Sequence, residues 1–136
     1  MKAYYKLTVE GYSVGQTAKG VGEGAIEYTV GSEPSELKAL LDAEAQAELF
    51  QHFTGMVDAT ITAKIQAYNK ANGVAFANAD AFTKYAINTS SQHYAIANQF
   101  ITWIDNLWAE ARTYQATATT VPTDEEFLAV LDAVVF

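Results

Sequence analysis

Few side chains in this sequence could do chemistry. His52 and His93 are the only imidazoles, and the absence of cysteine removes thiolate nucleophiles, thiolate metal sites and disulfides together. His93 follows Ser90 and Ser91 closely, but no GxSxG elbow accompanies them, so SSQH reads as a polar turn ahead of a helix. Neither histidine stands in an HxxxH or ExxH spacing that would bring two ligands to one helical face. Asp105 and Glu110 could be drawn as a carboxylate pair for acid–base work, but a spacing of five sets them about 140° apart on a helix. Asp105 is better read as a polar residue partnered by a backbone amide, Arg112 or Lys84. The glycine-rich GVGEG lacks the GxGxxG spacing and no GK[ST] follows, so a phosphate loop is not expected. The chain is therefore expected to have no catalytic residues, no metal site and no cofactor.

The aromatic side chains are the more unusual feature. There are eight tyrosines. Tyr4, Tyr5, Tyr12 and Tyr28 fall near the N-terminus, and Tyr85, Tyr94 and Tyr114 near a segment that holds both tryptophans, Trp103 and Trp108. Tyrosine suits a surface that is half apolar and half wet, at the rim of a core or at an interface. The candidate partner-binding residues are Tyr4, Tyr5, Tyr12, Tyr28 and Trp108.

These residues need elements to hold them. YYKLTVEGY alternates Tyr5, Leu7 and Val9 against Lys6, Thr8 and Glu10, and AIEYTV alternates Ile26, Tyr28 and Val30, which is the pattern of half-buried strands. Gly15, Gly20, Gly22 and Gly24 lie between them, so a hairpin with a long glycine-rich tip is expected. Ser32 as N-cap and Pro34 in the first turn open a helix bearing Leu37, Leu40, Leu41, Ala45 and Leu49. A break is expected at His52 to Gly55, then a second helix with Met56, Val57, Ile61, Ile65 and Tyr68, stopped by Gly73. A short helix near Asn78 to Tyr85 precedes a long one from about Gln92 to Thr117. Thr123 and Glu126 form a capping box for the last helix. On the long helix Phe100, Ile104, Leu107, Ala111 and Tyr114 keep core spacing with a tryptophan on either flank. The predicted core is Ile61, Ile65, Tyr68, Phe100, Trp103, Ile104, Leu107, Phe127 and Leu131. The fold class is α+β, with a β-hairpin module over 1–31 and a bundle of four or five helices over 32–136.

At 136 residues the chain can bury a core without staples. A net charge of −8 disfavours nucleic-acid binding, which needs clustered Lys and Arg, and the only arginine is Arg112. Acidic and basic residues are shared evenly between the two halves, so the charge is not the one-sided block of a DNA mimic. No apolar run is long enough for a membrane span, and the N-terminus alternates where a signal peptide would not. A soluble protein made in the cytoplasm is expected.

The segment Tyr85 to Leu131 resembles small proteins from the tail and tail-fibre gene regions of tailed bacteriophages. The matching residues are Tyr85, Ala86, Phe100, Trp103, Asp105, Trp108, Pro122, Thr123, Glu126, Phe127 and Leu131, and QAYNKANG, ending at Gly73, is similar to the family's first helix. Ile104 stands where the family usually has arginine, so any contact made by that arginine is missing here. The resemblance implies a non-enzymatic tail-fibre assembly chaperone or structural accessory. Its partner would be a protein, a tail-fibre protein above all, with self-association as a further option. Its place would be the host cytoplasm during assembly or the virion tail. The rival reading is a phage inhibitor that binds a host defence complex, which would also be small, acidic and without catalytic residues; a small hydrolase ranks behind both.

Overall fold

A computed structural model describes residues 1–136. The fold is α+β, with a three-stranded antiparallel sheet followed by helices. It divides into two compact units, Met1–Gln51 and His52–Phe136.

In the first unit, β1 (Lys2–Thr8) pairs with β2 (Gly11–Gly15) on one side and β3 (Ile26–Thr29) on the other, so β1 is the central strand. The expected long hairpin tip is therefore part strand. Thr8 pairs with Gly11 across a turn through Val9 and Glu10, and Gly11 takes a φ of 136°, where a side chain would be strained. The chain then winds through one short helix, α1 (Ala18–Val21), whose N-cap Thr17 accepts from the Gly20 N–H at 3.0 Å. Val30 donates to the Met1 carbonyl, which carries the β1–β3 pairing one step further.

Helix α2 runs from Ser35 to Asn72 without interruption, which corrects the break expected at His52 to Gly55. One glycine in a helix costs about 1 kcal/mol, and no proline follows to end it. The start is also later than expected, because Ser32 is taken up in a turn in which its N–H bonds to the Thr29 carbonyl. The division between units falls along this helix, so the first unit extends past the 1–31 boundary read from the sequence. Gly73, with a φ of 64°, supplies the left-handed stop.

In the second unit, α3 (Ala81–Ala86), α4 (Tyr94–Thr117) and α5 (Asp124–Asp132) follow. Thr123 caps α5 by accepting from the Glu126 N–H at 3.2 Å, and Asp124, Glu125 and Glu126 place negative charge at the positive end of the helix dipole. The core gathers Val57, Ile61 and Ile65 from α2, Phe76 from the following loop, Phe82 from α3, Ala97, Phe100, Trp103 and Leu107 from α4, and Phe127 and Leu131 from α5. Tyr68, Ile104 and Trp108 are half-buried against it. No helix is long and apolar enough to cross a membrane.

Candidate functional site

Strand register decides which tyrosines are available. Ala3, Tyr5 and Leu7 share one face of β1, and across from them lie Tyr12 and Val14 of β2 and Ile26 and Tyr28 of β3. Tyr5 stands at the centre of that face, flanked by Val14 and Ile26, and is only 1% exposed. Its hydroxyl donates to Glu36 of α2, and its ring meets Tyr28 edge-on at 5.7 Å. Tyr5 is therefore a core residue of the first unit, with Ala3 and Leu37, and cannot touch a partner. Tyrosine content had marked it as surface, whereas a central strand covered on one face buries its middle residue.

The other tyrosines keep part of their surface. Tyr12 is half-buried and donates to Glu44, about two turns beyond Glu36 on α2. Tyr4 points to the opposite face, where its hydroxyl donates to Glu27 at 3.1 Å and Lys2 pairs with the same carboxylate at 3.8 Å. Tyr28 is half-buried. In all three pairs the carboxylate accepts from the phenol and so holds its proton, which raises the Tyr4, Tyr5 and Tyr12 hydroxyls above their ordinary value. Glu33 moves the other way, because the Gly31 N–H donates to it at 3.0 Å and favours the charged form.

What this face does leave open is aliphatic. Leu7 and Val14 are each 45% exposed and Ile26 is 49% exposed, with Val30 beyond them and Val9 fully in solvent at the turn. The sequence holds a signal for Leu7, which alternates with Tyr5, and for Ile26, which alternates with Tyr28, whereas Val14 falls in the segment expected to be the hairpin tip. Their exposure depends on how little of the sheet is covered, which no periodicity reports.

The tryptophan helix lies in the second unit. Trp103 is 5% exposed and sits edge-on to Phe100 at 6.2 Å and to Phe136 at 5.6 Å, with the Lys64 ammonium 4.3 Å from the Phe136 ring. Phe136 also meets Phe100 at 4.7 Å. Beside Trp103 and Phe136 runs a groove of about 380 Å³ lined by Asn98, Gln99, Thr102 and Asn106. Trp108 is half-buried against the core and not part of that groove. Asp105 is exposed and unpaired; the ion pairs are Lys2–Glu27 and Lys38–Asp42, and His52 is hydrogen-bonded to Asp124.

Neither histidine is set up against a nucleophile. His52 Nε2 lies 2.7 Å from Asp124 Oδ1, at the surface. The His93 ring packs edge-on to Phe76 and Tyr85, and Ser91 Oγ accepts from the His93 backbone N–H, not from its ring. No three His, Asp or Glu side chains converge in a way that could hold a metal ion. Comparison with known proteins finds no matching family model, no matching curated protein and no matching solved structure.

Proposed function

We propose that the chain is a non-enzymatic protein-binding module of a tailed bacteriophage, which assists tail-fibre assembly by covering an apolar segment of the fibre protein with its small sheet. One observation carries the binding reading. Leu7, Val14 and Ile26 surround a buried tyrosine on a sheet face yet stay about half exposed, and both outer strands are short and have no strand paired to their outer edges. Apolar side chains grouped beside free strand edges suit the docking of another chain. The phage setting comes from the resemblance of Tyr85 to Leu131, and with it the host cytoplasm as the place of action.

Co-expression with a phage tail-fibre protein tests this reading. The soluble fraction of the fibre protein should rise when the chain is supplied, and the two should co-purify. Unchanged fibre solubility with no co-purification overturns it.

A further inference from the structure

The two edges of the sheet are not equivalent. The outer edge of β3 carries Glu27, and the chain folds back over its end, where Ser32 bridges to Thr29 and its N–H bonds to the Thr29 carbonyl. The outer edge of β2 has no such bridge, and α1 packs against the strand only at its Gly15 end, where Val21 lies beside that glycine. Its sequence, GYSVG, holds neither charge nor proline, and Gly11–Gly15 make backbone ladder bonds only toward β1. An edge strand without a charge or a proline is open to pairing along the part that nothing covers, here Gly11 to Val14.

The side chains beside that edge say what would pair. Tyr12 and Val14 lie on the same face as Tyr5 and Leu7, so an added strand that alternates apolar and polar residues would extend this face. On that face the charge nearby is negative, while Lys6 stands across from Ser13 on the opposite face. Tyr12 is hydrogen-bonded to Glu44, Glu48 is close enough to act on its hydroxyl, and Glu10 immediately precedes the strand. A second copy of this chain would bring the same three carboxylates to meet them, whereas a segment with lysine or arginine would complement them. We propose that the outer edge of β2 receives an extended segment of the partner as a fourth strand, one that alternates β-branched or aromatic residues with small polar ones and carries a basic residue at its end. The inference rests on the reading of the chain as a protein-binding module and names where and what it binds.

The test uses the full chain and a synthetic peptide of alternating valine and threonine with a lysine at each end. In an NMR titration the amide signals of Gly11 to Gly15 should move while those of Ile26 to Thr29 do not. Val14→Lys should weaken the peptide about tenfold or more, since a lysine on an edge strand blocks pairing and repels the basic ends. The thermal melt of that variant should match the parent's, because Val14 is half in solvent. A peptide with glutamate ends should bind more weakly than the lysine one. Movement at β3, or no movement, overturns the proposal even if Val14→Lys fails to fold. Concentration-dependent broadening at β2 without peptide makes a second copy the occupant and also overturns it. Repeating the fibre co-expression with Val14→Lys separates the two readings. A fibre rescued equally well by parent and variant leaves the assembly function standing and removes the edge. A peptide that binds β2 while the fibre is indifferent to the chain does the reverse.

Discussion

Asn69 grips Phe76 by both of its backbone polar groups: Nδ2 donates to the Phe76 carbonyl at 2.8 Å, and Oδ1 accepts from the Phe76 N–H at 3.0 Å. This pair of bonds turns the chain back after α2 and drops Phe76 among Phe82 at 4.8 Å, His93 at 5.2 Å and Tyr85 at 5.9 Å. Replacing Asn69 by alanine leaves two half-buried backbone groups without partners and should cost about 1–3 kcal/mol. Urea unfolding followed by tyrosine and tryptophan fluorescence measures it. A midpoint equal to the parent's would mean that aromatic packing alone holds the loop.

The sequence signalled the second unit more clearly than the first, for a physical reason. Phe100, Trp103 and Leu107 recur at helical spacing and α4 buries them, with Ile104 half-buried beside them, so local pattern and tertiary demand agree. Phe76 and Phe136 carry no such pattern. One is held by a side chain seven residues away, the other by rings and a lysine brought together only in the fold. In the first unit Gly11, Gly15, Gly20, Gly22 and Gly24 look alike in the sequence, yet Gly11 and Gly15 are strand residues and Gly20 is helical. Tyr5 shows the same limit: its alternation with Leu7 was visible, but which side of the sheet α2 would cover was not.

Gly55 offers a direct test of the uninterrupted helix. Its backbone lies in ordinary helical space, and a Cβ added there would meet nothing within 4 Å. Gly55→Ala should then stabilise the protein by about 0.5–1 kcal/mol, because alanine restricts the unfolded chain and adds no clash. A differential scan of parent and variant reads this out. A lower melting temperature for the variant would show that the chain bends at this point and needs the glycine.

The tyrosine–carboxylate pairs give the first unit a dependence on alkaline pH. The Tyr5 hydroxyl is raised above its ordinary value chiefly by its hydrogen bond to Glu36, with desolvation and the Glu36 charge adding to it. A group raised in the folded state binds its proton more tightly there than in the unfolded chain. Its stabilising contribution is thus complete below the unfolded value of about 10 and is lost as pH rises through the higher folded value. Tyr5→Phe keeps the buried ring and removes the proton. Its melting temperature should fall less than the parent's as pH rises above about 10, with circular dichroism as the readout. Parallel losses in the two proteins would mean that Tyr5 does not titrate with unfolding.

The two tryptophans should respond very differently to truncation. Trp103 is 5% exposed, stands against Phe100 and Phe136, and floors a groove that its removal would join to an internal void. Trp103→Ala should cost about 3–5 kcal/mol, the range for deleting a large buried ring, and a large part of the 5–15 kcal/mol that folds a typical domain. Trp108 is only half-buried, so Trp108→Ala should cost nearer 1–2 kcal/mol, as solvent fills part of the space it leaves. Phe136→Ala separates packing from location. It strips the ring from Trp103 and Phe100 without touching α4, and should destabilise by an intermediate amount. Denaturant melts of the three variants, with fibre co-purification measured alongside, decide the role of the helix. A Trp103 variant that melts like the parent but no longer co-purifies would make this helix edge an interface, and the sheet face would then lose its place as the binding surface.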